Sequence, residues 1–97
     1  MLTSKQRAYL RGLANKQNAI FQIGKSGITP EIIKELDTVL EKRELIKITV
    51  LETAFMTPRM ACDEVCENLG ADGVLCVGNK FVIYRASKDN KTIVLPK

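Results

Sequence analysis

The chain has no histidine and no tryptophan among its 97 residues. Without histidine it lacks the commonest general base near neutral pH, the commonest metal ligand, and the group that activates serine or cysteine in the familiar nucleophile pairs. Catalysis and a cofactor are therefore not expected. Three cysteines, an odd number, argue against a disulfide framework and for a reducing compartment. No apolar run approaches the ~18 residues of a membrane span, and Met1-Leu2-Thr3-Ser4-Lys5 has no signal-peptide core. A cytoplasmic protein with no membrane partner is expected. Aromatics are few (Tyr9, Phe21, Phe55, Phe81, Tyr84), and no RRM signature accompanies them. A sheet-face stacking mode of that kind is thus disfavoured.

Acidic residues are missing from one region in particular. Residues 1–29 hold Lys5, Arg7, Arg11, Lys16 and Lys25 and no acid, and from Asn79 onward five basic groups face Asp89 alone. The other ten acids lie between. Such segregation suits one basic face for a polyanion and one acidic or neutral face, although solvated charges alone could also produce it.

What is present centres on Ile23-Gly24-Lys25-Ser26-Gly27-Ile28-Thr29-Pro30-Glu31. An apolar run (Ala19, Ile20, Phe21, Ile23) enters a two-glycine loop, and Thr29 and Pro30 then read as N-cap and first residue of a helix. Glycine lets a backbone approach a ligand, and amides near a helix start favour an anion. The spacing does not fit a nucleotide-triphosphate loop or a dinucleotide fingerprint. It does fit the two-glycine loop with which KH-type modules clamp nucleic-acid backbones, although the same pattern often marks only a tight turn.

The remaining chain reads as an α-β-α-β-α-β-β order. Thr3 and Gln6 form a capping box for a first helix with Tyr9, Leu10 and Leu13 inward. Ile32, Ile33, Leu36, Val39 and Leu40 give a second helix over about 30–43, with Lys34, Asp37 and Glu41 outside. Leu45 to Leu51 alternate as a strand exposing Lys47 and Thr49. Glu52 to Met56 connect to a third helix opened by Thr57-Pro58, with Ala61, Cys62, Val65 and Leu69 inward and Gly70 as its stop. Val74 to Val77 read as a strand buried on both faces, Gly78-Asn79 as a hairpin turn, and Phe81 to Tyr84 as the antiparallel return. Ile93 to Leu95 add an edge strand or fray. An α/β two-layer sandwich follows, its four-stranded mixed sheet ending in an antiparallel strand. One domain is expected over 1–97, with a core at about 2–85 and a polar extension over 86–97. Cys62 and Cys76 are expected to be buried, Cys66 at the helix edge, and no metal is expected.

Four blocks together resemble a known family. Leu2-Thr3-x-Lys5-Gln6-Arg7-x-Tyr9-Leu10-Arg11-x-Leu13-Ala14, Gln22 to Thr29, Glu44-Leu45-Ile46-Lys47 and Phe81-Val82-Ile83-Tyr84-Arg85 look like the CRM domain in its stand-alone bacterial, YhbY-like form. The resemblance implies an RNA-binding domain associated with precursors of the large ribosomal subunit, hence a ribosome assembly factor. It also implies a fold similar to the C-terminal domain of bacterial translation initiation factor three. By the same resemblance, Gly24, Lys25, Ser26 and Gly27 contact RNA with neighbouring basic residues, for which Lys5, Arg7, Arg11, Lys47 and Arg85 are the candidates. The expected partner is RNA, with no small-molecule substrate, and the protein is expected to be a monomer. The alternative is a small protein-interaction or thiol-reactive module working through the acidic third helix (Asp63, Glu64, Glu67).

Overall fold

The computed structural model describes residues 2–97. Helix α1 (Ser4–Ala14) opens with both halves of the capping box: Gln6 N donates to Thr3 Oγ1 at 3.1 Å and Thr3 N to Gln6 Oε1 at 3.0 Å. Strand β1 (Phe21–Ile23) leads to α2 (Pro30–Arg43), β2 (Leu45–Val50) and a 3-10 turn at Glu52–Ala54. Helix α3 (Pro58–Leu69), β3 (Asp72–Val77) and β4 (Lys80–Tyr84) complete the core. Thr29 and Thr57 each accept from the third helical amide, and Gly70 closes α3 at φ 64°.

The sheet order is β1-β2-β4-β3. β1 and β2 pair in parallel, while β4 lies antiparallel between β2 and β3. One sheet face carries Ile23, Ile46, Ile48, Val50, Phe81 and Ile83, packed under Leu36 and Leu40 of α2 and Ala61, Cys62, Val65 and Leu69 of α3. This is the sandwich that the 3.6-residue periodicity of both helices requires. The opposite face is covered only in part. There Leu45, Val74, Val82 and Tyr84 meet Leu2, Leu10 and Ala14, with Ile93 and Leu95 against them.

Three expectations are corrected. β3 is not covered on both faces: insertion of β4 makes it the sheet edge, so Val77 is 57% exposed and Cys76 is exposed rather than buried. Tyr9 points outward, because α1 buries Leu10 and Ala14 against the sheet instead. The tail adds no strand among the described residues and is clasped by two carboxylates. Glu44, fully buried at φ 66°, accepts from Ser87 N (2.8 Å), Thr92 N (2.7 Å), Ile93 N (2.9 Å) and Thr92 Oγ1 (3.1 Å). Glu41 accepts from Ser87 Oγ and from the amides of Lys88 and Asp89.

Candidate nucleic-acid interface

The glycine loop leaves β1 at the end of the sheet where β2 and the β3–β4 turn also finish. Leu51 N donates to Ile23 O at 2.8 Å and Val50 N to Asn79 O at 2.7 Å, which ties three chain segments together there. Within the loop, Gly27 N donates to Gly24 O at 2.9 Å. The four residues are therefore a closed turn with Lys25 and Ser26 exposed at its centre. Such a turn uses its first carbonyl and fourth amide, and among the described residues the amides of Lys25 and Ser26 make no backbone hydrogen bond.

The two glycines do different work. Gly27 has φ 69° and open space where a β-carbon would stand, so its role is the left-handed backbone angle. A β-carbon on Gly24 would meet Leu51 Cδ1 at 3.4 Å and Thr53 Oγ1 at 3.5 Å, ordinary contact distances. The expected anion-binding helix start is weaker than the sequence suggests. Thr29 Oγ1 already accepts from Ile32 N at 3.2 Å, Pro30 has no amide hydrogen, and Glu31 adds a negative charge in the first turn. The exposed turn with Lys25 is the more open positive feature at this end of the sheet.

Beside the loop, α1 leaves part of the sheet uncovered. Strand register aligns Gln22, Thr49, Lys80 and Val77 in one row across all four strands. With neighbouring strands about 4.8 Å apart, the row spans about 14 Å. Lys47 lies one row nearer α1 and donates from Nζ to Gln17 O at 2.9 Å. Lys5 and Arg11 are exposed on α1, on this same side of the sheet.

Two candidates lie elsewhere. Arg7 Nε donates to Gly73 O at 3.3 Å, at the far end of β3, and lines a cavity of about 450 Å³ with Arg59, Cys62, Asp63 and Cys76. Arg85 is at the opposite end of the sheet from the glycine turn. Its Nη1 donates to Asp37 Oδ1 (2.6 Å) and Leu69 O (3.1 Å), and its Nη2 to Asp37 O (3.1 Å). Arg85 thus cross-links β4 to α2 and α3, and the structure does not bring it to the loop. The signal for this was available in principle, since Asp37 and Arg85 are opposite charges, but a separation of 48 residues hides the pairing.

The charge segregation becomes a difference between the layers. Residues 1–29 carry five bases and no acid, whereas α2 and α3 together carry seven acids against four bases. Sequence reasoning gave no role to Phe55. It is 93% exposed, at φ 52°, on the turn whose Thr53 abuts Gly24.

The thiols are shifted in opposite directions, with Cys66 lowered by the hydrogen bond from Cys62. Contact with Cys66, 4.0 Å away between sulfurs, and burial push the Cys62 thiol up, and burial pushes Cys76 up as well. Among the described residues no cluster of three metal-ligating side chains forms, and no helix is long and apolar enough to cross a membrane.

Comparison with known proteins places the chain among relatives. Residues 2–85 match the CRS1/YhbY (CRM) domain. A Bacillus subtilis protein named "Probable RNA-binding protein YqeI" is 38% identical over 96 residues, covering 99% of this chain and 100% of its own. A Haemophilus influenzae protein named "RNA-binding protein" is 31% identical over 96 residues, covering 99% of this chain and 96% of its own. The solution structure of a Staphylococcus aureus protein, described as a candidate RNA binder, superposes with TM-score 0.78 at 43% identity. That match covers 99% of this chain and 100% of the other.

Proposed function

The chain belongs to the CRS1/YhbY (CRM) domain family, and from that premise we propose that it is a non-catalytic RNA-binding protein. In this reading RNA lies along the α1 side of the sheet, with its phosphates against the Gly24–Gly27 turn. The observation that carries it is the exposed, closed turn presenting Lys25 and Ser26 at an uncovered end of the sheet. Lys80 and Lys47 extend the positive charge across the strands, and Lys5 and Arg11 extend it along α1. Phosphate contacts of this kind position a protein on RNA without reading its sequence.

The RNA we propose is that of the precursor large ribosomal subunit, bound in the cytoplasm by a monomer that assists its assembly. The support for this finer step is the resemblance of the four sequence blocks to stand-alone bacterial members of the family. The acidic third helix is the less favoured working face, because Asp63, Glu64 and Glu67 would repel a polyanion and the relatives that match are named RNA-binding proteins.

Crosslinking the protein to RNA in cell extract, followed by sequencing, tests the reading. Enrichment of large-subunit precursor RNA is expected. Recovery of RNA classes in proportion to their abundance would refute the assembly role.

A further inference from the structure

We propose that Phe55 is a stacking platform for an unpaired nucleobase, standing beside the glycine turn so that one strand offers its base to the ring and its phosphate to Lys25. This rests on the RNA-binding reading above. Among the described residues Phe55 is the most exposed large apolar side chain. Yet its turn is firmly anchored. Ala54 and Met56, on either side, both pack against the main core, and Phe55 N donates to Glu52 O at 3.1 Å. The backbone holds a bulky residue at φ 52°, a region such residues seldom occupy unless their surroundings impose it. A fixed turn therefore projects a bare ring into solvent.

Thr53 connects that ring to the turn. Two residues before Phe55, its hydroxyl lies 3.5 Å from the position of a β-carbon on Gly24. A phenyl ring has no polar atom, so what it offers a ligand is its face, on which any base can stack. Docking of a protein would call for a contiguous apolar patch. The neighbours Glu52, Thr53 and Thr57 are instead exposed polar groups, and Met60 is the next exposed large apolar residue along the chain.

The test compares wild type, Phe55→Ala and Phe55→Trp binding to an oligouridine strand and to a blunt RNA duplex, with far-UV circular dichroism confirming the fold. Phe55→Ala is expected to lose about 5- to 150-fold in affinity for the single strand, the range for removing one aromatic stack. Its salt dependence should be unchanged, since no charge is lost, and duplex binding should be unaffected. Phe55→Trp should retain affinity. Because the chain has no other tryptophan, its emission reports directly on the site and should be quenched by oligouridine. Single-strand binding by Phe55→Ala within twofold of wild type, or unaltered tryptophan emission at saturation, overturns the proposal. So does loss of a self-association, seen in sedimentation, with RNA affinity retained. Wild type that binds neither RNA refutes the RNA-binding reading itself, whereas wild-type binding with an indifferent Phe55→Ala refutes only the stacking.

Discussion

Replacing Glu44 with glutamine tests how the tail is attached to the fold. The carboxylate is buried and accepts four hydrogen bonds, one on Oε2 from Ser87 N and three on Oε1 from Thr92 and Ile93. Burial opposes its ionisation, but the Ser87, Ile93 and Thr92 donors outweigh burial and hold its pKa below the ordinary 4.5. In Glu44→Gln, an amide oxygen in the Oε1 position keeps three bonds in weaker, uncharged form. The amide nitrogen then faces Ser87 N, donor against donor. Each hydrogen bond to a charged group contributes about 1.5–3 kcal/mol, and an orphaned buried donor costs about 1–3 kcal/mol. A net loss of about 2–4 kcal/mol is expected, from a total of about 5–15 kcal/mol for a domain of this size. At this chain length that lowers Tm by on the order of 10–20 °C. Urea unfolding followed by circular dichroism at pH 7 measures it. A group with a depressed folded pKa contributes stability that is complete above its unfolded pKa and is lost as pH falls through the folded value. Wild type should therefore lose stability as pH drops below about 4.5, with Glu41, also lowered by its bond to Ser87, adding to the slope. The variant should show a shallower loss. A Glu44→Gln protein within about 0.5 kcal/mol of wild type at pH 7, with the same acid limb, would refute the clasp.

Other perturbations separate structural from ligand-facing roles. Gly27→Ala should destabilise by about 1–2 kcal/mol through its left-handed backbone, whereas Gly24→Ala should stay within about 0.5 kcal/mol in the same melts. Arg85→Ala should cost about 1–3 kcal/mol by removing the link between Asp37 and Leu69, yet leave the salt slope of RNA binding unchanged in titrations. Cys62→Ala should cost about 1–2 kcal/mol as a core truncation, Cys76→Ser on the edge strand should cost little, and neither should alter RNA affinity measured by filter binding.

The sequence announces what is local. Thr3 with Gln6, Thr29 with Pro30, Thr57 with Pro58, and Gly70 each fix a helix end within four residues, and all four ends are where those signals place them. The Gly78-Asn79 turn is equally legible, because φ 59° at Gly78 is a glycine angle. Strand order is not local. An apolar Val74–Val77 run looks the same on an edge as in a centre, and β4 can be assigned its place only from pairing across the sheet. Glu44 and Arg85 were hidden for a related reason: their partners lie 43–49 and 16–48 residues away. At the candidate site the two-glycine turn was readable from spacing. The Gln22-Thr49-Lys80-Val77 row needed the register, and the exposure of Phe55 needed the packing of Ala54 and Met56 on either side.

The central claim is that RNA meets the α1 side of the sheet and its glycine turn rather than a uniformly basic globule. The direct measurement is the slope of log affinity against log salt for two triple variants, each of which removes three positive charges. Lys25→Gln, Lys80→Gln and Arg11→Gln neutralise the proposed surface. Lys47 is left out because its bond to Gln17 O is structural. Lys34→Gln, Lys42→Gln and Arg43→Gln neutralise exposed positions on α2. With about 0.7 lost from the slope per single-strand phosphate contact, the first variant should flatten it by about 2. The second should leave the slope nearly unchanged. Equal flattening in both would contradict the account.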